Sequence, residues 1–130
     1  MKTIIKIFVT SCLVLGVLCS AVSAREIGEI NQFKITTSYR TTDYLLKENY
    51  HGDYVINLIP SREHEPIKIL NRLVNSNGDR RSDNNRSVCG QRYEYSSWGE
   101  NGYIYALEMS REHIFDWTIY ITGSWSPDTY

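Results

Sequence analysis

The sequence predicts an all-β fold, namely a small antiparallel β-sandwich or, as the alternative, a small barrel. Apolar and polar residues alternate in short segments after residue 32, as they do in half-buried strands. All ten tyrosines and all three tryptophans also follow residue 32, and both residue types favour strands. Turn-forming residues separate the segments, and no long segment has helix periodicity. We therefore expect about six short strands in two packed sheets.

Residues 1–24 have the three parts of a secretory signal peptide. A basic start is followed by an apolar run from Ile7 to Leu18 and then by small residues up to Ala24. The apolar run is shorter than the ~20 residues that a membrane-spanning helix needs. We therefore expect cleavage after Ala24, secretion of residues 25–130 as a single β domain, and no membrane span after processing.

Charge and cysteine content limit the function of the predicted mature domain. Removing Lys2 and Lys6 from the 14 basic residues leaves 12 against 15 acidic residues, a formal charge of about −3. This balance argues against a nucleic-acid partner. Cys12 and Cys19 leave with the signal peptide, so Cys89 remains as a single cysteine, and burial is its more common fate. The domain must then fold by packing, without an intrachain disulfide.

The first half of the predicted domain contains three strands. Residues 25–32 are expected to be a frayed lead-in, and residues 33–37 alternate as a first strand. Residues 54–59 form a strand that Pro60 ends, and residues 67–74 return as its partner in a loose hairpin. The side chains expected to face inward are Tyr54, Ile56, Leu58, Ile67, Ile69 and Leu73.

The second half begins with a polar segment and continues with a hairpin. Residues 75–86 contain no apolar side chain and are expected to be an exposed loop. Residues 89–95 and 103–109 alternate as strands, and Asn101-Gly102 between them is a tight-turn signal. We therefore expect these two strands to pair as a β-hairpin.

The closing strand starts at Trp117, with Ile119 and Ile121 on the same inward face. Gly123 marks either a bulge or a close approach of two backbones. Pro127 cannot donate a ladder hydrogen bond, so pairing should stop by about residue 125 or 126.

The sequence indicates no enzyme. His64 and His113 each follow Arg-Glu, but their spacing matches no metal site, and both fall in polar turns where solvated charges are expected. They are retained only as a remote hydrolase candidate. Cys89 lies in no thiol-enzyme signature, and the chain has no nucleophile elbow, phosphate-binding glycine loop or calcium loop. We therefore expect no catalytic residue, no metal and no cofactor.

The candidate binding residues are aromatic and basic. Surplus tyrosine and tryptophan on strand faces suit flat contact with carbohydrate, lipid headgroups or protein, although the same rings could simply fill the core. The densest basic cluster is a loop that could bind phosphates or anionic envelope polymers, although its own aspartates offset part of its charge. The predicted contact residues are Trp98, Tyr105, Tyr120, Trp125, Arg80 and Arg81.

The segment from Tyr120 to Thr129 contains Gly-Ser-Trp-Ser-Pro-Asp. It resembles the end of a family of small secreted proteins of unknown function from Gram-positive bacteria, whose last strand ends in Gly-x-Trp-Ser-Pro-Asp. Looser parallels are residues 39–42 and residues 103–107. Cys89 and the arginine-rich loop depart from the family pattern. The resemblance implies export from a Gram-positive cell and a β fold, and it implies no activity.

Two functions are consistent with these features. The first is a secreted, non-enzymatic β-sandwich that binds a cell-envelope component or a protein. The alternative is a small antibacterial protein of the bacteriocin type, which would also be exported, compact and free of catalytic motifs.

Overall fold

The computed structural model describes residues 25–60 and 67–129, and in these residues the chain forms nine β-strands and no helix. The strands lie in two antiparallel sheets that do not close into a barrel, so the predicted small β-sandwich is confirmed. The strands are β1 (Gly28–Ile35), β2 (Arg40–Thr41), β3 (Leu45–Leu46), β4 (Tyr54–Leu58), β5 (Lys68–Asn75), β6 (Asn85–Val88), β7 (Arg92–Tyr95), β8 (Ile104–Arg111) and β9 (Ile119–Ser126).

Strands that follow each other along the chain often lie in different sheets. The first sheet has the order β1-β9-β4-β7, and the second has the order β2-β8-β5-β6, with β3 also paired to β8. Both predicted hairpins are therefore wrong, because the connections from β4 to β5 and from β7 to β8 cross between the sheets. Gly102 does adopt the left-handed conformation that its turn requires, with a φ of 87°. A turn signal fixes a reversal of the chain, but it does not decide which strands pair.

The first strand begins earlier than the sequence predicts. Residues 28–32 are not a frayed lead-in, because β1 pairs with β9 from Gly28 onward. Ile30 is paired with Gly123 and Phe33 with Ile121, so three steps on β1 match two steps on β9. This bulge, in which Gln32 has a φ of 47°, puts Ile30 and Phe33 on the same face despite their odd spacing. The bulge interrupts period-two alternation, and for this reason the sequence pattern does not predict the first part of β1.

The core lies between the two sheets and contains the inward-facing residues that the sequence predicts from residues 54–74. Trp125, Ile119 and Ile121 of β9 pack in the same cluster. Trp117 does not, because β9 begins only at Ile119 and the Trp117 side chain is 82% exposed. Other buried members of the core are Ile30, Ile35, Tyr54, Ile56, Leu58, Ile67, Ile69, Leu73, Tyr105, Leu107 and Met109.

A buried polar cluster joins the sheets and accounts for part of the polar segment 75–86. The Tyr54 hydroxyl donates to Asn71 Oδ1 (2.7 Å) and accepts from Asn85 Nδ2 (2.9 Å). Asn71 Nδ2 donates to Ser87 Oγ (2.7 Å), which lies 2.8 Å from the Tyr95 hydroxyl. The prediction that residues 75–86 form only an exposed loop is therefore wrong. Asn85 begins β6, and this strand faces the interior with polar groups that have partners there.

Candidate functional site

Three of the six predicted contact residues meet in one concave site. Trp98, Arg81 and Tyr105 line an opening of about 350 Å³ at the end of the five-stranded sheet where β5 ends and β8 begins. We call this opening the Trp98 notch. Its lining residues are Asn75, Ser76, Asn77, Arg81, Trp98, Glu100, Tyr103, Ile104 and Tyr105.

One wall of the notch is a turn that Asn75 organises. The Asn75 side-chain oxygen accepts from the backbone N–H groups of Asn77 (3.0 Å) and Asp79 (2.9 Å). Gly78 takes the left-handed conformation within this turn, with a φ of 80°, and its N–H donates to the Asn75 carbonyl (2.9 Å). An asparagine that accepts from the next residues of its own loop is a common way to fix a turn. Hydrogen bonds therefore fix the shape of this wall, which contains no apolar side chain.

The Trp98 wall is tied to the arginine-rich segment through the backbone. Arg81 N–H donates to the Leu73 carbonyl (2.7 Å), and Trp98 N–H donates to the Arg81 carbonyl (2.8 Å). The hydroxyl of the adjacent Ser97 donates to the Gly52 carbonyl and accepts from Gly99 N–H. The Trp98 side chain nevertheless remains 51% exposed. The fold therefore holds the backbone of Trp98 while leaving its ring available.

Tyr105 supports the site instead of contacting solvent. Its ring is only 3% exposed, and its hydroxyl accepts from Glu100 N–H (2.7 Å) and lies 3.3 Å from the Glu100 carbonyl. The expectation that Tyr105 offers an exposed contact surface is therefore wrong. The reason is its position on the inward face of β8, where it shares the core with Leu107 and Met109. In the notch, Tyr105 positions the backbone of Glu100.

The exposed chemistry of the notch combines aromatic, charged and amide groups. Tyr103 is 61% exposed and Ile104 is 44% exposed beside Trp98. Arg81 is half-buried, and its Nη1 donates to the Arg80 carbonyl (3.0 Å), which restricts the guanidinium. Glu100 lies exposed in the same lining. Such a set can stack against an apolar ring face and hydrogen-bond to groups around it.

Sequence reasoning missed several members of this site. Tyr103 belongs to the predicted strand 103–109 but is not among the predicted contact residues; β8 begins one residue later and leaves Tyr103 outside it. The sequence predicts only a turn position for Glu100 and a loop position for Asn75. The available signal was the clustering of Trp98, Glu100 and Tyr103 around the Asn101-Gly102 turn.

The other predicted contact residues do not line the notch. Tyr120 is 59% exposed but belongs to β9 in the opposite sheet, where it pairs with Lys34. Arg80 is exposed on the segment that bridges to Val74, next to Arg81. Trp125 is 2% exposed, so its predicted role as an exposed contact residue is wrong. Alternation on β9 continues through Gly123 without a bulge, which keeps Trp125 on the inward face.

Gly123 itself is explained by a close backbone approach, one of the two possibilities that the sequence left open. A Cβ at this position would lie 2.9 Å from Leu58 Cα and still closer to the Asn57 carbonyl oxygen. Distances of this kind do not occur between real Cβ atoms and a backbone. Only glycine therefore permits the observed pairing of β9 with β4.

The Ser-Pro-Asp end of the closing motif forms a structural clasp. Asp128 is completely buried, and its Oδ1 accepts from Lys47 Nζ (2.9 Å), itself completely buried. The same carboxylate accepts from the backbone N–H groups of Glu48 (2.8 Å) and Asn49 (3.1 Å). The Ser126 hydroxyl donates to the Glu26 carbonyl (2.5 Å) and accepts from Asp128 N–H (3.2 Å). We call these six residues the C-terminal clasp, and its buried groups stabilise the fold without facing a ligand.

A second opening, on the four-stranded sheet, is larger but has fewer kinds of side chain suited to binding. It has a volume of about 660 Å³, and its polar lining includes Glu29, Asn31, Asn57 and Thr122. No aromatic ring and no basic side chain line it. We therefore take the Trp98 notch as the better candidate site.

The histidine candidates gain no support as a pair. His113 is exposed, and its backbone N–H donates to Asp116 Oδ2 (2.9 Å). His64 lies outside the described residues. Within residues 25–60 and 67–129, no group of three or more His, Cys, Asp or Glu side chains is placed to hold a metal ion. Cys89 is half-buried and packs against the core.

Comparison with known proteins provides no relative from which a function of the notch could be inferred. No protein-family model matches the chain, and no curated protein or solved structure shows significant similarity to it. In the part of the chain that the structure describes, no helix has the length and apolar character to cross a bilayer.

Proposed function

We propose that the chain is a secreted, non-enzymatic binding domain whose Trp98 notch holds a glycan segment of a cell-envelope polymer. The observation that carries the proposal is the meeting of two exposed aromatic rings, Trp98 and Tyr103, with the charged side chains of Arg81 and Glu100 in one concave lining. The predicted signal peptide would deliver the domain to the outside of the membrane, where such polymers occur.

Each group in the notch has a role in this proposal. Trp98 and Tyr103 stack against the apolar faces of sugar rings, because aromatic side chains offer wide contact at low conformational cost. Glu100 and the Asn75 wall exchange hydrogen bonds with sugar hydroxyls. Arg81 pairs with a phosphate or carboxylate on the polymer, and its existing bond to the Arg80 carbonyl restricts the orientation of its guanidinium.

The test uses protein that lacks residues 1–24, since all nine strands lie within residues 25–129. Binding to purified Gram-positive cell walls is measured by co-sedimentation, with and without removal of the phosphate-containing polymers. We expect Trp98→Ala to weaken binding roughly tenfold, which corresponds to about 1.4 kcal/mol. Tyr120→Ala is the matched control, because Tyr120 is similarly exposed on the opposite sheet.

The outcomes separate the ligand classes. Arg81→Gln should weaken binding to complete walls more than binding to walls stripped of phosphate polymers. If the unmodified domain does not sediment with walls, or if Trp98→Ala sediments as well as Tyr120→Ala, the glycan proposal is overturned. Circular dichroism of each variant establishes that a loss of binding is not a loss of fold.

A further inference from the structure

The loop between β8 and β9 exposes three large apolar side chains within four residues of sequence. Phe115 is 92% exposed, Trp117 is 82% exposed and Ile114 is 79% exposed. No other large hydrophobic side chain in residues 25–60 and 67–129 is as exposed as these three. We call Ile114, Phe115 and Trp117 the apolar tip. Contiguous exposed apolar groups mark surfaces that contact a membrane or another molecule.

Part of the backbone of this loop is hydrogen-bonded within the loop or to the end of β8. Asp116 N–H donates to the His113 carbonyl (3.0 Å), and His113 N–H donates to the Asp116 carboxylate (2.9 Å). Arg111 Nη1 donates to the Trp117 carbonyl (3.2 Å). These bonds direct some of the loop's polar groups toward the domain, while the side chains of Ile114, Phe115 and Trp117 are exposed. Each of these hydrogen bonds lowers the cost of bringing the loop to a lipid surface, because unpaired backbone groups are costly there.

The charges around the tip favour an anionic surface. The acidic side chains of the loop are paired, Glu112 with Arg86 and Asp116 with Arg111. Exposed basic side chains lie at the same end of the sandwich. Lys34 lies next to Ile35, which pairs with Ile119 at the start of β9. Lys68 lies next to Ile69, which pairs with Arg111 at the end of β8. Arg40 pairs with Met109, two residues before that end.

We propose that the apolar tip docks the protein on a lipid bilayer that carries anionic headgroups. The three side chains of the tip line neither of the two openings described above and are 79–92% exposed, so they are free to enter a fluid interface. Phe115, Trp117 and Ile114 enter the boundary between headgroups and acyl chains, where aromatic side chains are enriched. The basic residues at this end contact the anionic headgroups.

The docking mode sets the position of the Trp98 notch. The notch lies where β8 begins and the tip lies just beyond where β8 ends. Eight residues of strand span roughly 25 Å at ~3.3 Å per residue. A domain held by its tip therefore presents the notch away from the bilayer. The docking proposal itself rests on the loop and its neighbouring charges and does not require the glycan proposal.

The test compares vesicles of phosphatidylcholine alone with vesicles that also contain phosphatidylglycerol, using protein without residues 1–24. We expect sedimentation with the anionic vesicles, a blue shift of tryptophan fluorescence, and weaker binding as salt concentration rises. The double variant Phe115→Ser and Trp117→Ser should bind at least tenfold more weakly, because each side chain contributes apolar burial. Trp98→Ser is the control, since it removes an exposed tryptophan from the opposite end.

Three results would overturn the proposal. They are failure of the unmodified protein to bind anionic vesicles, equal binding by the tip variant, and equal loss in the Trp98→Ser control. Sedimentation velocity distinguishes a second copy of the chain as the occupant of the tip. Suppose that the unmodified protein is a dimer, that the tip variant is a monomer, and that neither protein binds vesicles. The apolar tip would then be a self-association surface and not a membrane-docking surface.

Discussion

Replacement of Asp128 by asparagine tests whether the C-terminal clasp holds the fold together. In the folded chain, the Asp128 carboxylate accepts three hydrogen bonds, one of them from the completely buried Lys47 ammonium. Asparagine has nearly the same shape but carries no charge, and its amide group places a donor opposite an existing donor. The variant therefore leaves a buried positive charge without its counter-ion.

The loss in the free energy of unfolding follows from the burial of the Lys47–Asp128 ion pair. Removing one partner of a buried ion pair costs about 3–5 kcal/mol, because the remaining charge stays desolvated. Domains of this size have a free energy of unfolding of roughly 5–15 kcal/mol. Asp128→Asn should thus remove roughly a fifth or more of the total stability. Lys47 Nζ also donates to the Pro127 carbonyl (2.9 Å), which softens the loss but does not replace the carboxylate.

The assay is urea unfolding followed by tryptophan fluorescence, since Trp125 lies in the core next to the clasp. With a denaturant slope of about 1–3 kcal/mol per molar urea, the midpoint should fall by roughly 2 M. Glu94→Gln is the control, because the Arg92–Glu94 pair is 47% exposed at both side chains. Exposed pairs contribute about 0–1 kcal/mol, so its midpoint should hardly move.

A midpoint for Asp128→Asn that equals that of Glu94→Gln would refute this reasoning. The buried pair would then contribute no more than a surface pair, and the closing motif would need another explanation. The double variant Lys47→Met and Asp128→Asn sharpens the result. It should be more stable than Asp128→Asn alone, because it no longer buries an unpaired charge.

Two further predictions concern positions within the four-stranded sheet, Tyr54 and Gly123. Burial raises the pKa of Tyr54 from 10.0 to about 12 in the folded state, so the folded state favours the neutral hydroxyl. The contribution of Tyr54 to the free energy of unfolding should therefore be constant below pH 10 and fall by about 3 kcal/mol as the pH rises from 10 to 12. Urea midpoints across this range check the slope, and an unchanged midpoint contradicts it. Separately, Gly123→Ala should lower the free energy of unfolding by about 1–3 kcal/mol, because its Cβ meets the β4 backbone. Wild-type stability of this variant would show that β9 and β4 can separate at no cost.

The fold class could be predicted from the sequence because half-buried strands alternate with period two. Tyr54, Ile56 and Leu58 follow this rule and face the core. The rule failed at β1, where the bulge at Gln32 shifts the inward face by one residue. It also failed at β6, whose inward Ser87 is polar and is satisfied by Asn71. Neither a bulge nor a buried polar network leaves a hydrophobic pattern to find.

Sheet topology lay beyond sequence reasoning for a different reason. The turn at Asn101-Gly102 forms, but β7 pairs with β4 and β8 pairs with β5. Pairing is decided by long-range packing of the two inner faces, which no local signal encodes.

The candidate site could be predicted only in part. Residue type alone predicts Trp98 and Arg81 as contact residues, and the structure brings them together with Tyr103 and Glu100. Residue type predicts Trp125 equally, but Trp125 is buried. An aromatic residue that binds and one that fills the core look alike in sequence, because only the tertiary fold decides which ring reaches solvent.

The three tryptophan indole N–H signals of nitrogen-15-labelled protein test the central claim most directly. Trp98 reports on the notch, Trp117 on the apolar tip, and Trp125, 2% exposed, on the core. During titration with a soluble cell-wall polymer, the Trp98 signal should shift while the Trp117 and Trp125 signals stay in place. A Trp98 signal that remains fixed while Trp117 or Trp125 responds would contradict binding at the notch.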